Sequence, residues 1–128
     1  ACVGLADQVE KGALHSADTA VLLRGYLQPL VDQGADTLVL GCTHYPFVLP
    51  LMEELLPRLT PRAIAVVDTG RPVARQLARL LGERGLLHEG RLADGRVRGY
   101  TTGSLSSLSS AFSRLLGIDA EVTALGAQ

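Results

Sequence analysis

Cys42 and His44 are the residues of this sequence best suited to chemistry. They are separated only by Thr43 in the segment Leu40-Gly41-Cys42-Thr43-His44-Tyr45-Pro46-Phe47. A cysteine acts as a base or nucleophile only as its thiolate, and a neighbouring imidazolium or helix N-terminus favours that form. The pair therefore predicts proton transfer or nucleophilic attack by the Cys42 sulfur, with His44 as its assistant.

The residues alone leave other interpretations of this pair open. Cys42 as a small buried hydrophobe, with His44 as a hydrogen-bonded loop residue, fits its position equally well. Acyl transfer is a further option, because a cysteine paired with a histidine can attack a carbonyl group. A structural zinc ion is less favoured, since it needs four ligands and no second Cys or His cluster lies near in the sequence. We therefore predict no metal site.

The element in front of Cys42 places it where ligands bind. Thr37-Leu38-Val39-Leu40 is a short apolar run between Gly34 and Gly41, which predicts a strand buried on both faces. Open α/β sheets bind their ligands beyond the carboxyl ends of the strands. Cys42 follows such an end directly.

Across the chain, apolar segments of strand length alternate with segments of helical period. This alternation predicts an α/β fold with mainly parallel sheets. Ser16 is the expected N-cap of the first long helix and Gly34 its stop. The expected helices cover residues 17–33, 49 onwards, 72–84 and 106–116, the expected strands cover 37–40, 63–67, 97–101 and 120–125, and residues 86–94 form a loop.

Composition excludes several classes of protein. The chain has 128 residues, of which 47% are hydrophobic and 20% charged, as in an ordinary globular protein with one sizeable core. A net charge of −1 gives no excess of positive charge to bind phosphates, and 4% aromatic residues give few rings on which bases could stack. No run approaches the roughly 20 apolar residues of a membrane span. We therefore expect no nucleic-acid partner and no membrane partner.

The two cysteines, Cys2 and Cys42, form neither a CxxC pair nor a disulfide framework. A reducing, cytoplasmic location is therefore expected. The sequence begins at Ala1 and not at Met, which we interpret as an N-terminally incomplete protein.

The segment of residues 38–47 closely resembles the second cysteine motif of glutamate racemases, in the aspartate/glutamate racemase superfamily. The resemblance extends over nearly the whole chain, although Val3 stands where the family usually has proline. Supporting matches are Ala1-Cys2 with Val9-Glu10-x-Gly12, Val67-Asp68-Thr69-Gly70 with Val73-Ala74, and Tyr100-Thr101-Thr102-Gly103. The resemblance places this chain in the C-terminal half of such an enzyme.

The resemblance implies two α/β domains with the active site between them. Residues 1–64 would complete the second domain and residues 65–128 the first, and the intact protein would be a homodimer. Two cysteines would exchange the Cα proton of glutamate on opposite faces, with no pyridoxal phosphate or metal as cofactor, to supply D-glutamate for peptidoglycan. The family's first cysteine, in a Cys-Asn-Thr-type segment, is absent here, so the chain alone should be inactive.

The resemblance also assigns roles to individual residues. Cys42 would be the acid or base on one face, His44 would assist its proton transfer, and Thr43 would hydrogen-bond the amino acid. Glu10 would reach the substrate ammonium through water, although a solvated carboxylate before a turn explains Glu10 equally well. The pair His44-Tyr45 favours glutamate over aspartate racemases. The alternatives are aspartate or hydantoin racemisation, or a non-catalytic binding module.

Overall fold

The structure is a computed structural model that describes residues 2–88 and 96–126, so the expected loop at 86–94 lies largely outside the described residues. In chain order the elements are α1 (Leu5–Glu10), α2 (Ala17–Asp32), β1 (Thr37–Leu40), a 3₁₀ turn (Tyr45–Val48), α3 (Leu49–Leu59), β2 (Ala65–Asp68), α4 (Gly70–Glu83), β3 (Arg98–Thr101), α5 (Leu105–Ala111), a π-helical turn (Phe112–Leu116) and β4 (Glu121–Ala124). Both strand pairs are parallel, which confirms the expected α/β class. No helix in the described part of the chain is long and apolar enough to cross a bilayer.

The chain divides into two compact units, Ala1–Leu87 and His88–Gln128. In the first unit β1 pairs with β2, with Thr37 opposite Ala65. The strand that follows the expected domain boundary at residue 64 therefore shares a sheet with the strand that precedes it. The expected boundary refers to the two domains of a longer protein and stays a prediction.

Helix α2 forms where its capping residues and apolar spacing predicted it. Its N-cap, Ser16, accepts a hydrogen bond from the amide of Thr19 at 3.2 Å. Leu23, Leu27 and Val31 recur every four residues, so they lie on one face, and all three are buried. The cap and the buried stripe together hold α2 against the core of the first unit.

The regular helix after Cys42 begins at Leu49, as expected, and a 3₁₀ turn precedes it. Pro46 lies in the 3₁₀ turn, and Pro50 lies in the first turn of α3, where a missing backbone N–H costs nothing. Helix α3 buries Leu51, Met52, Leu55 and Leu56. Among the described residues, every buried hydrophobic side chain lies between Leu5 and Leu56.

One face of the first sheet is open to solvent. Leu38 and Leu40 are buried, but Val39 between them is 65% exposed. The expectation that β1 is buried on both faces is therefore wrong for this chain, since Thr37 and Val39 are exposed while Leu38 and Leu40 are buried. Helix α4 has no buried residue, and its apolar side chains Val73 and Leu77 are exposed as well.

Helix α1 was not expected from the sequence. It has only six residues and follows Gly4, whose φ of 80° suits glycine. Leu5 and Val9, four residues apart, are 2% and 0% exposed and pin the helix to the core. The last residue of α1 is Glu10, so the position of this helix fixes the position of that carboxylate.

The second unit is a βαβ arrangement in which β3 and β4 pair in parallel. Helix α5 begins after Ser104, which accepts a hydrogen bond from the amide of Ser107 at 3.2 Å. The expected helix over 106–116 is thus α5 followed by the π-helical turn, and it ends at Gly117 with a φ of 66°. A Cβ atom on Gly99 would lie 2.7 Å from the ring of Phe112, so only glycine fits at this point of β3.

Gly99→Ala should destabilise the β3–β4 pair by about 1–3 kcal/mol, because the added methyl group overpacks the contact with Phe112. Hydrogen-exchange mass spectrometry should show faster exchange of the β3 and β4 amides. The matched control is Gly103→Ala, whose methyl group would meet only the Thr101 hydroxyl, at 3.5 Å. Equal exchange rates in both variants would contradict the steric role of Gly99.

The isolated 128-residue chain should be marginally stable or should associate, because the apolar side chains Val39, Val73 and Leu77 are exposed and each described sheet has only two strands. Sedimentation velocity over a range of concentrations should show the association. Thermal melting followed by circular dichroism should show a low or broad transition. A cooperative melt of a stable monomer would contradict this expectation.

Candidate active site

Cys42 lies just past the carboxyl end of β1 and is half-buried. Leu40 is opposite Asp68 in the parallel pair, so β1 and β2 end at the same edge of the sheet. The Thr69 hydroxyl donates a hydrogen bond to the Leu40 carbonyl at 2.9 Å and ties the two strand ends together. The backbone directly before Cys42 is therefore held in place by β2 and Thr69.

The His44 ring lies beside the Cys42 sulfur. The distance from Cys42 Sγ to His44 Nδ1 is 3.8 Å, which is within hydrogen-bonding range for sulfur. The same ring nitrogen is 3.4 Å from the Thr43 hydroxyl. These three consecutive side chains thus converge, although their catalytic and binding roles stay predictions.

Glu10 approaches the opposite side of the His44 ring. Its Oε1 atom is 3.2 Å from His44 Nε2, and the side chains of His44 and Glu10 are 30% and 63% exposed. An ionised carboxylate can only accept hydrogen bonds, so Nε2 carries the proton in this contact. In the neutral ring Nδ1 then presents its lone pair to Cys42. The expected contact of Glu10 with the substrate ammonium stays a prediction.

Tyr45 connects the Cys42 segment to the start of the chain. The Cys2 amide donates to the Tyr45 hydroxyl at 3.1 Å, while the Tyr45 amide donates to the Cys42 carbonyl at 3.2 Å. Hydrogen bonding with the Cys2 side chain raises the pKa of Tyr45 above its ordinary value, although the bond from the Cys2 amide opposes this rise. Both cysteines are free thiols.

An apolar groove of about 270 Å³ runs along β1. Cys2, Tyr26 and Tyr45 line it among aliphatic side chains, and Cys42 is not part of this lining. The expectation that Cys42 lies where a ligand binds stays a prediction. In the described part of the chain, no three His, Cys, Asp or Glu side chains group closely enough to hold a metal ion.

Sequence analysis missed two residues that shape the site, Tyr45 and Thr69. Tyr45 was used only to distinguish glutamate from aspartate racemases, and its partner Cys2 lies 43 residues away. Thr69 was noted only as part of the supporting match Val67-Asp68-Thr69-Gly70. Asp68 does accept a bond from the Gly70 amide at 2.9 Å, but the Thr69 hydroxyl reaches Leu40 instead. The clue to Thr69 was its place after a strand parallel to β1.

Comparison with known proteins identifies the family. No protein-family model matches the chain. The chain is 44% identical over 121 residues to a glutamate racemase of Stutzerimonas stutzeri, an alignment that covers 94% of this chain and 43% of that protein. It is 54% identical over 95 residues to a glutamate racemase of Pseudomonas paraeruginosa, covering 74% of this chain and 34% of that protein.

This chain belongs to the glutamate racemase family. It corresponds to a C-terminal segment and spans less than half the length of the racemases that it matches.

Solved structures agree with this glutamate racemase fold. A glutamate racemase of Bacillus anthracis superposes with a TM-score of 0.81 and 29% identity, covering 97% of this chain and 44% of that one. A glutamate racemase of Francisella tularensis, solved in complex with D-glutamate, superposes with a TM-score of 0.78 over 98% of this chain and 45% of that one. At 21% identity, the second likeness concerns the fold alone.

The titration of Tyr45 tests the contact between the Cys42 segment and Cys2. The difference in phenolate absorbance between wild type and Tyr45→Phe should titrate above about 10, the ordinary pKa of tyrosine, because the fold favours the neutral hydroxyl. The stabilisation by this contact is present below that pH and is lost as the pH rises through the folded-state value. In concentrated urea the difference curve should return to about 10. A folded-state midpoint at or below the urea value would contradict the contact.

Proposed function

We propose that this chain is the part of a glutamate racemase that supplies one of its two acid–base cysteines, Cys42. The observation that carries the proposal is the line of thiol, imidazole and carboxylate formed by Cys42, His44 and Glu10, with separations of 3.8 Å and 3.2 Å. This line stands at the carboxyl end of a parallel strand. The 44% identity to a glutamate racemase supports the same assignment.

The geometry suits a group that must both take and give a proton. In the first state the Cys42 S–H donates to the lone pair of His44 Nδ1, while Nε2–H donates to Glu10. Transfer of the thiol proton to Nδ1 produces a thiolate and an imidazolium, and the Glu10 carboxylate stabilises that cation. The thiolate then removes the Cα proton of the substrate and becomes a thiol again. Run backwards, the same sequence delivers a proton to Cα.

Racemisation also needs an acid–base group on the opposite face of the substrate. A proton must leave one face of Cα and another must arrive on the other face, and one sulfur cannot do both. The other cysteine of the chain, Cys2, contacts Tyr45 through its backbone amide. We therefore propose that the opposing cysteine belongs to a part of the whole protein outside these 128 residues, and that the chain alone does not racemise.

The substrate proposed is glutamate, with Thr43 as a contributor to its binding. The Thr43 side chain is exposed beside His44, so its hydroxyl can reach a carboxylate that approaches Cys42. The carbanion formed at Cα requires hydrogen-bond donors around that carboxylate, because the proposed reaction uses no cofactor. Production of D-glutamate for peptidoglycan, a cytoplasmic location and a homodimer of the intact protein belong to the same proposal.

Cys42→Ala in the full-length enzyme should reduce racemisation by about 10³-fold or more, because the variant lacks the acid–base group on one face. Circular dichroism of a glutamate solution follows the racemisation, and NMR in D₂O follows exchange of the Cα proton. The matched control is Cys2→Ala, which removes the other thiol of this chain but keeps the amide that holds Tyr45. Full racemisation by Cys42→Ala would refute the role of Cys42.

Substrate comparison in the same assay separates the related activities. Aspartate or a hydantoin turned over in preference to glutamate would replace the proposed substrate while keeping the proposed chemistry. An intact protein that binds glutamate but exchanges no Cα proton would instead favour a binding module.

A further inference from the structure

Helix α1 contacts the segment Cys42–Tyr45 at both of its ends. At the C-terminal end, Glu10 Oε1 meets His44 Nε2 at 3.2 Å. At the N-terminal end, the Cys2 carbonyl accepts the Leu5 amide at 3.2 Å, and the Cys2 amide donates to the Tyr45 hydroxyl at 3.1 Å. Two neighbouring residues of the catalytic segment are thus attached to opposite ends of one short helix.

The helix between these two contacts is held firmly. Leu5 and Val9 are 2% and 0% exposed, so they anchor α1 in the core of the first unit. A packed core resists displacement, and the spacing between Cys2 and Glu10 therefore changes little. This spacing sets where the Tyr45 hydroxyl and the His44 ring can lie at the same time.

The Glu10–His44 contact alone is a weak restraint on the ring. The Glu10 side chain is 63% exposed, and exposed ion pairs contribute little because water and salt screen them. The hydrogen bond between the Cys2 amide and the Tyr45 hydroxyl is less exposed to water, because the Tyr45 ring is half-buried beside the groove along β1. The Tyr45 amide also closes the turn on the Cys42 carbonyl at 3.2 Å. Tyr45 is therefore attached both to Cys42 and to α1.

We propose that Tyr45 is a positioning residue whose hydroxyl, held by the Cys2 amide, keeps the His44 ring between the Cys42 sulfur and the Glu10 carboxylate. The inference rests on the proposed function, in which Cys42 and His44 exchange the substrate proton. Tyr45 touches neither proton nor substrate in this role. It restricts the turn that carries both catalytic side chains.

Tyr45→Phe removes the hydroxyl and keeps the ring in the groove, so it isolates the contact with Cys2. The matched control is Tyr26→Phe. The Tyr26 hydroxyl donates to the Val3 carbonyl at 3.0 Å, and Tyr26 lines the same groove. Both tyrosines thus hold the N-terminal segment, but only Tyr45 connects it to the residues around Cys42.

The first readout is the tautomer of His44, measured by long-range ¹H–¹⁵N NMR in the full-length enzyme, where the His44 signals are assigned by their loss in His44→Gln. Wild type should show one form of the His44 ring, with the proton on Nε2. Tyr45→Phe should give a mixture of tautomers at His44 and leave the signals of His15 unchanged. Tyr26→Phe should resemble wild type. A single, unchanged His44 tautomer in Tyr45→Phe would overturn the proposal.

A general effect on the N-terminal segment predicts a different pattern. If Tyr26→Phe disturbed His44 as much as Tyr45→Phe does, the specific contact with Tyr45 would be rejected. Cys2→Pro serves as a second variant, because it removes the N–H donor and leaves the Tyr45 hydroxyl in place. It should reproduce the tautomer mixture, and it decides the question if Tyr45→Phe does not fold.

The second readout is kinetic and uses the full-length enzyme. Tyr45→Phe should lower kcat about tenfold and change KM by less than about twofold, because displacement of the acid–base pair affects the transition state more than binding. Tyr26→Phe should keep the wild-type kcat. An unchanged kcat in Tyr45→Phe would overturn the positioning role. Wild type that does not racemise glutamate would refute the proposed function, while the His44 spectrum would still decide the contact.

Discussion

The contact with the Glu10 carboxylate favours the tautomer of His44 that carries its proton on Nε2. A neutral imidazole has one N–H group and one lone pair, and a carboxylate can only accept a hydrogen bond. Because Glu10 takes the Nε2 side at 3.2 Å, the lone pair of the neutral ring points to the Cys42 sulfur at 3.8 Å. Reversible proton transfer between sulfur and nitrogen requires this orientation. With the tautomers reversed, the ring would present an N–H group to a thiol that also carries a proton.

The fold creates this orientation from elements that are distant in sequence. Glu10 is 34 residues from His44, and the burial of Leu5 and Val9 helps to bring the end of α1 to the turn after β1. The parallel pairing of β1 with β2 supplies the other support, because it places the Thr69 hydroxyl on the last carbonyl of β1. Under the proposed function the hydrophobic core acts on catalysis only indirectly, because it fixes the elements that hold the site.

Sequence patterns predicted the local parts of this arrangement and missed the distant ones. Helix α2 was predictable because Ser16 and Gly34 mark its ends and its apolar residues repeat with the helical period. The Cys42–His44 pair was predictable because the two residues are neighbours in one turn. Helix α1 was not, since six residues are too few to show a period. The contact between Glu10 and His44 depends on tertiary packing, which no local pattern encodes.

The prediction that β1 is buried on both faces was wrong for a related reason. Four consecutive apolar or β-branched residues predict contacts on both faces of a strand, but a strand pattern does not say where the covering residues come from. Leu38 and Leu40 are buried, whereas Val39 remains 65% exposed. The close approach of Phe112 to Gly99 in the second unit could not be predicted either, because no local pattern connects that glycine with the ring.

Buried hydrophobic side chains are confined to one part of the described chain. All buried hydrophobic side chains among the described residues lie between Leu5 and Leu56, whereas Val67, Val73 and Leu77 are exposed. Covering side chains of this size stabilises a protein by about 1.5–3 kcal/mol each, so a surface of this kind favours contact with another part of a larger protein. Cys42 is half-buried and follows β1, in which Leu38 and Leu40 are buried but Val39 is exposed. In the proposed racemase, an acid–base group that faces an opposing cysteine has two requirements. A packed core must fix its position, and its exposed side must be completed by residues from another part of the protein.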